Sequence, residues 1–365
     1  MTEIFLTIFF ISVLLFFLGT GIWVAISMIG VSSIGMILFT SRPVGDAMAT
    51  TIWGASSSWT LTALPLFVWM GEILFRTKLS ENLFKGLAPW MQKLPGGLIH
   101  VNVVGCALFA AISGSSAATV ATVGKMSIPE LRKRKYPEKI LLGSLAGSGT
   151  LGLLIPPSII LIIYGVTVQE SIAKLFIAGI IPGIMIALIF MSYVIIWSLM
   201  NKKSMPKSLE NSSFIEKVKK SKQLMPVILL ILAVIGSIYT GIATATEAAS
   251  LGVVGALILS FFQRSLTKET FRASLLGATK TSCMIAFILA GATFLSLAMG
   301  FTGLPRNLAI WIQGMELSPY VLIFVLMIFY IILGMFLDGI SAVVLTMAII
   351  EPMIRQAGFD MIWFG

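Results

Sequence analysis

Long apolar runs separated by short polar or basic joints organise this chain from Ile4 to Trp363, the pattern of membrane helices rather than of a soluble core. A span needs roughly 20 apolar residues, and the runs leave room for about eight to ten membrane segments. Ile4–Leu18 and Ile22–Phe39 come first, followed by Arg42–Pro43 and then by "WGASSSWTLTALPLFVWMGEILFR", a span with a polar head and Pro65 inside it. A further span covers Ile172–Met200, where Gly179 and Gly183 are spaced for close helix contact. Leu224–Tyr239 and Ala248–Phe262 are joined by "TGIATATEAAS", and a span over Thr279–Met299 leads to "GFTGLP". Pro319–Phe336 then runs directly into "LDGISAVVLTMAIIEPMIRQAGFD".

Two segments break the pattern. Gly97–Leu131 is 35 residues long, about 50 Å as a single helix, and does not fit a ~30 Å hydrocarbon core. Basic residues flank both of its ends, which puts both ends on the cytoplasmic side, and its centre is "SGSS" at Ser113–Ser116. A re-entrant helical hairpin with its tip at Ser113–Ser116 satisfies length, charge and the polar centre; two full spans joined by a tight turn are the alternative. The second segment is "GSGTLGLLIPPSIILIIYG", Gly147–Gly165, within a broken helix predicted from Pro137 to Tyr164. Pro156 and Pro157 remove backbone donors in its middle. A carbonyl freed in hydrocarbon costs several kcal/mol unless protein, water or an ion satisfies it. The second half echoes the first: "LFAAISGSSAATV" and "MFLDGISAVVLTM" each set a small polar knot in an apolar run, closed by "SIPEL" and "IIEPM". Interrupted segments in corresponding halves point to an inverted-repeat transporter.

Composition agrees. The chain is 58% hydrophobic and 11% charged, with mean hydropathy +1.01, which excludes a soluble domain. Its net charge of +10 comes from Lys and Arg in the connections, "RKRK" at Arg132–Lys135 above all, so it signals cytoplasmic topology and not nucleic-acid binding. Asn201–Gln223 reads as a basic cytoplasmic linker with a surface-lying amphipathic helix from Phe214. Cys106 and Cys283 both lie in apolar runs and suggest neither a disulfide nor a metal site, and the lone His100 cannot build a His-based metal cluster.

Breaking a membrane helix exposes carbonyls at one stub, suited to a small hard cation, and amides at the other, suited to an anion. Ser113, Ser115, Ser116, Ser148 and Thr150 add neutral oxygen ligands, although small residues and hydroxyls also serve as packing glue. Asp338 is an isolated carboxylate in an apolar stretch and by default a functional candidate. Glu247 reads as a helix N-terminal charge, Glu351 and Arg355 as an i,i+4 pair, and Glu72 as an interfacial residue.

"ISGSSAATVATVG", "GTLGLLIPPSIILIIYG", "ATATEAASLG" and "GMFLDGISAVVLTMAIIEP" together resemble the large membrane subunit of tripartite ATP-independent periplasmic (TRAP) transporters, over essentially the whole chain. The resemblance implies an all-α polytopic membrane protein of the elevator type. Two inverted repeats each carry a re-entrant hairpin and a broken helix, and the transport domain moves on a scaffold. It implies sodium-coupled import of an organic acid such as a C4-dicarboxylate, sialic acid or another sugar acid across the bacterial inner membrane. Its partners are a small membrane subunit and a periplasmic substrate-binding protein; Na+ is the coupling ion and no other cofactor is expected.

Carried over by position, the resemblance implies a first sodium site from Ser113, Gly114, Ser115, Ser116, Gly149, Thr150, Gly152 and Pro156. A second, partial site takes Asp338, Gly339, Ser341 and Thr346. The substrate carboxylate is expected between the tips, with Ser116, Ser158, Asp338 and Arg42 as candidate contacts. The implied organisation is scaffold helices over 1–95; a first repeat over 96–200, with the hairpin at 97–131 and the broken helix at 137–165; a linker over 201–223; scaffold helices over 224–318; and the second hairpin over 319–365. The family commonly has Asp where Thr119 stands and Pro where Ala245 stands. It also has a second double-proline helix where this sequence ends at "FDMIWFG", so the second site is expected with only part of its ligands.

Two other classes of function compete. An intramembrane serine hydrolase would pair a tip serine with His100 or Lys125, neither of which the spacing brings to the tip, and no G-x-S-x-G elbow occurs. An ion-coupled carrier or channel without a binding-protein partner is the other class; channels offer repeated pore loops or charged rings, where this sequence shows two opposed hairpins.

Overall fold

The computed structural model describes residues 2–76, 86–206, 214–222, 224–305, 307, 310, 314, 318–335 and 337–365, and every regular element among them is helical. In chain order the helices are α1 (Thr2–Gly19), α2 (Val24–Phe39), α3 (Val44–Ser56), a 3-10 turn (Trp59–Thr62), α4 (Ala63–Phe75), α5 (Ile99–Ser113), α6 (Ser116–Lys133) and α7 (Glu138–Gly149). They continue with α8 (Leu151–Leu154), α9 (Ile159–Thr167), α10 (Ile172–Met200), α11 (Phe214–Ser221), α12 (Met225–Tyr239), α13 (Ala245–Phe262), α14 (Lys268–Thr302), α15 (Pro319–Leu333), α16 (Gly339–Gln356) and α17 (Met361–Phe364). Lys78 and Lys85, the linker residues Lys207 and Glu210, and Phe336 lie outside the described residues.

Four of the described helices, α10, α13, α14 and α16, are long and apolar enough to cross a membrane, and seven spans result if each bent helix pair counts as one. The expected eight to ten segments counted apolar runs, and α1, α2, α5 and α15 are apolar but short. Proline and polar residues divide the others. The span predicted around Pro65 is divided into α3, the 3-10 turn and α4, and the double-proline helix into α7–α8 and α9. Helix α14 starts well before its apolar run, since Lys268, Glu269, Arg272 and Lys280 occupy its first four turns. Helix α10 carries Ile181, Ile184, Leu188, Ile189 and Ile196 more than half exposed, as a lipid-facing surface requires.

The chain divides into two compact units, Met1–Leu61, Ile163–Ser171 and Ser282–Gly365 in one, and Thr62–Ile162 and Ile172–Thr281 in the other. In the first, Met36, Phe294 and Ala298 form a fully buried cluster between α2 and α14, and Gly291 lets α14 approach the Ala25 carbonyl. In the second, the small residues Ala248, Ala249, Gly252 and Ala256 of α13 are buried, and Gly252 faces Met70 of α4. Helix packing in membranes relies on such small-residue stripes, because lipid is as apolar as leucine. Helix α13 begins with a full capping box. The Thr244 N–H donates to Glu247 Oε2 at 2.8 Å and the Glu247 N–H to Thr244 Oγ1 at 3.4 Å, which accounts for the carboxylate in "ATATEAAS".

Candidate functional site

Helices α5 and α6 form a helical hairpin whose turn is only Gly114 and Ser115. Gly114 adopts φ +58°, a conformation costly for any residue with a Cβ, and its N–H donates to the Ala110 carbonyl to end α5. Ser115 begins α6 as its N-cap, accepting from the Ala118 N–H. The tip is tied internally: Ser113 Oγ and Thr119 Oγ1 share a 2.8 Å hydrogen bond, and Thr119 Oγ1 donates to the Ser115 carbonyl at 2.7 Å.

The broken helix meets this tip backbone to backbone. A Cβ on Gly152 of α8 would lie 2.7 Å from the Ser115 carbonyl oxygen and 2.9 Å from the Ser116 nitrogen. A Cβ on Gly114 would lie 2.9 Å from the Pro157 carbonyl oxygen, and Gly149 faces Val120 of α6. From the other side Gly71 of α4 meets the Ile112 carbonyl, so glycine surrounds the tip. The Gly179 and Gly183 pair of α10 backs the break itself, against the Leu154 carbonyl and Ile155.

The break leaves carbonyls unspent. The Ile159 N–H, first of α9, does not turn back to Ile155; it donates across to the Gly114 carbonyl at 3.3 Å. Pro156 and Pro157, joined by a cis peptide, have no N–H. Ser158 Oγ donates to the Leu153 carbonyl. Among the described residues nothing donates to the carbonyls of Leu154, Ile155, Pro156 or Pro157; the two prolines are buried, and Leu154 and Ile155 are half-buried. These are hard neutral oxygens in an apolar setting, the donor set of a small monovalent cation.

The predicted residues do not all converge. Ser113, Gly114, Ser115, Ser116, Gly149, Gly152 and Pro156 gather at the tip and break. Thr150 does not: its exposed hydroxyl donates to the Gly147 carbonyl of its own helix, because the 100° step from Gly149 turns it away from the hairpin. Ser148 is also elsewhere, donating to the carbonyls of Ser144 and Asn102 inside the unit. Ser158 is fully buried and spends its proton on Leu153. Thr119, fully buried against Ser113, is a tip residue that sequence reasoning left out; its place one turn into α6 on the Ser115 face was the available signal.

In the other unit, Asp338 is the exposed N-cap of α16, with Oδ2 accepting from the Ile340 and Ser341 N–H groups at 3.2 Å. Gly339 and the buried Ser341 follow in the first turn. Thr346 lies about 12 Å further along α16 and pairs with Tyr330 of α15 at 2.7 Å, so it is not gathered with Asp338. Arg42 stacks 5.1 Å from the Phe301 ring centroid. The Glu351–Arg355 pair forms at 2.9 Å, and Arg355 reaches Glu170 at 3.6 Å and the Val168 carbonyl at 3.2 Å as well. A cavity of about 740 Å³ opens beside them, lined by Thr50, Thr60, Thr167, Glu170, Ser296 and Glu351 among others. His100 stands 13 residues from Ser113 along α5, about 20 Å, and bonds the Pro95 carbonyl at 2.7 Å, so no tip serine has a histidine base.

The profile of the family described as Tripartite ATP-independent periplasmic transporter, DctM component, matches residues 11–365. The C4-dicarboxylate TRAP transporter large permease protein DctM of Pseudomonas aeruginosa is 32% identical over 92% of this chain and 78% of its own length. The sialic acid TRAP transporter large permease protein SiaM of Vibrio cholerae is 31% identical over 95% of this chain and 81% of its own length. The 2,3-diketo-L-gulonate TRAP transporter large permease protein YiaN of Escherichia coli is 31% identical over 87% of this chain and 74% of its own length. These relatives are transporter permeases and not enzymes, and the chain, a multi-pass helical membrane protein, belongs to the DctM component family of TRAP transporters.

Proposed function

We propose that this chain is the large membrane subunit of a sodium-coupled importer of an organic acid, working in a bacterial inner membrane by an elevator mechanism. The observation that carries the reading is the set of unspent carbonyls at Leu154–Pro157, of which that of Pro157 lies against the Ser113–Ser116 tip at Gly114. Sodium bound there satisfies oxygens that would otherwise cost several kcal/mol each in hydrocarbon. It also links tip to broken helix, so that ion occupancy sets the tip's position. The second sodium site is assigned to the start of α16, where Asp338 keeps Oδ1 free of the cap.

The inverted repeat draws support from element lengths. Helices α5 and α15 each have 15 residues; α6 and α16 each have 18, each starts behind a side-chain cap, and each carries a proline 13 residues after its first residue, Pro129 and Pro352. On this reading the hairpins belong to the moving part, and α1, α2, α4 and α13 to the scaffold. Cargo is a C4-dicarboxylate, sialic acid or another sugar acid, the range that the relatives' names span. A periplasmic binding protein delivers it, and a small membrane subunit completes the complex.

Uptake into proteoliposomes holding the chain and its small subunit, with binding protein outside and a sodium gradient on or off, tests the proposal. Uptake that needs both sodium and binding protein is the expected result. Uptake indifferent to sodium, or undiminished without binding protein, would replace it with a simple carrier.

A further inference from the structure

At the base of the α5–α6 hairpin, within the unit holding Thr62–Ile162, lies a cavity of about 720 Å³ that the transport reading does not use. Its wall carries Lys93, Lys133, Arg134 and Lys135 against one carboxylate, Glu130, so it holds a net three positive charges. Glu130 stands 3.8 Å from Arg134, and among the described residues Lys93, Lys133 and Lys135 have no acidic partner. Gly96, Gly97 and Leu98, the turn that leads into α5, line the same cavity. Tyr136 OH, which accepts from the Leu98 N–H at 3.1 Å, lines the cavity with a proton still to donate. Burial raises the Tyr136 phenol above its ordinary range, so that proton stays in place.

A second feature indicates what occupies it. The wall continues into an apolar cluster of Ile99, Val103, Ile140 and Val194, with Tyr136, Phe190, Trp197 and Met205 packed on it. Tyr136 and Met205 line the basic cavity; Val103, Phe190 and Val194 line a separate trough of about 300 Å³ with Gly143, Ile189 and Tyr193. Leu98 and Val103 are five residues apart on α5, about 7 Å along the axis, which matches the roughly 5–8 Å headgroup layer of one leaflet. A basic cavity one headgroup layer away from an apolar trough is complementary to an anion with acyl chains. Free phosphate or a free organic acid fills only the first.

We infer that this site binds an anionic phospholipid of the leaflet that the basic connections mark as cytoplasmic, its phosphate held by Lys93, Lys133, Lys135 and Tyr136 and an acyl chain lying in the Val103–Phe190–Val194 trough. Basic pockets on the cytoplasmic side of membrane helices bind such headgroups. The site lies at the base of the hairpin, at the end opposite the tip, and it stands whether or not that tip binds sodium.

The test uses the whole chain, purified free of lipid in neutral detergent. Phosphatidylglycerol, phosphatidylcholine of the same chain length, inorganic phosphate and succinate are titrated while native mass spectrometry and thermal unfolding are read. One phosphatidylglycerol is expected to bind and raise Tm, at least tenfold more tightly than phosphatidylcholine, with no effect of phosphate or succinate at equal concentration. Each basic side chain near an anionic lipid is worth about fivefold in affinity, so the exposed triple variant K93Q/K133Q/K135Q should bind phosphatidylglycerol roughly a hundredfold more weakly. I189W, at an exposed position in the trough, should weaken phosphatidylglycerol without changing the basic cavity. Equal response to the two lipids, an equal response to phosphate or succinate, or unchanged affinity in both variants would overturn the proposal.

Discussion

Adding one methyl group at Gly152 tests the contact on which the proposed sodium site depends. A Cβ there would sit 2.7 Å from the Ser115 carbonyl oxygen and 2.8 Å from its carbonyl carbon, where ordinary contact begins at 3.4 Å. Both atoms are backbone, so no side chain can swing aside, and the tip must retreat by about 0.7 Å. Overpacking of this kind costs roughly 1–3 kcal/mol. Replacing a helical glycine by alanine returns about 0.5–1 kcal/mol, so Gly152→Ala should lose about 1–2 kcal/mol net. Gly236→Ala in α12 is the matched control: nothing lies within 4 Å of its Cβ, and it should be neutral or slightly stabilising. Thermal unfolding of both variants in detergent, with and without sodium, gives the readout. A functional site tolerates about 0.5 Å of displacement, so Gly152→Ala should also raise the sodium concentration for half-maximal stabilisation or uptake by about tenfold or more. Equal shifts in the two variants would refute the backbone contact. Lost stability with an unchanged sodium response would place the ion elsewhere.

Four further outcomes follow from the same geometry. A double-mutant cycle of Ser113→Ala and Thr119→Val should give a coupling of about 1 kcal/mol, read by thermal unfolding, since the 2.8 Å bond joins two buried hydroxyls. Arg355→Gln should cost under about 1 kcal/mol, because Arg355 is about half exposed, and high choline chloride should shrink the difference. Tyr136→Phe strips the Leu98 N–H of its acceptor and should cost about 1 kcal/mol. Burial raises the Tyr136 phenol, so its contribution is complete below the unfolded value near ~10 and fades as pH rises through the higher folded value; the tyrosinate difference spectrum against Tyr136→Phe should therefore appear only above the ordinary tyrosine range. At α16, Asp338→Asn keeps a cap and removes the charge, whereas Asp338→Ala removes both. Unfolding should separate Ala from Asn by about 1 kcal/mol, and a sodium response that Asn loses as fully as Ala would assign the carboxylate to the ion.

Much of the architecture was legible because the signals were physical necessities. A 35-residue apolar segment with a polar centre is too long for one span and has to turn, and α5 and α6 turn at the Gly114–Ser115 pair inside the predicted tip. Two adjacent prolines must interrupt a helix, and α8 ends at Leu154 just before them. Direction was harder to read. Thr150 and Gly149 are neighbours with the right chemistry, but a helix turns them to different sides, and only Gly149 faces the hairpin. Thr346 lies within the right helix but two turns from the cap. Gly71 gave no local sign at all, since its role is to meet the Ile112 backbone, 41 residues away in sequence.

The deeper reason is that the proposed site is built from main-chain atoms, which every residue possesses. What the sequence can record is the permission for such a site: glycines where another backbone must pass, prolines where a donor must be missing, and a small-residue stripe such as Gly179 and Gly183 to close its back. Those residues predict where carbonyls come free and not which of them stay free. That depends on where the displaced amide goes, and here the Ile159 N–H crosses to Gly114 instead of returning to Ile155. One cross-hairpin hydrogen bond both anchors the tip to the break and leaves the Ile155 carbonyl unspent. Tip position and the availability of the Ile155 oxygen are thereby linked, and under the proposed function a cation bound to that oxygen acts on the tip.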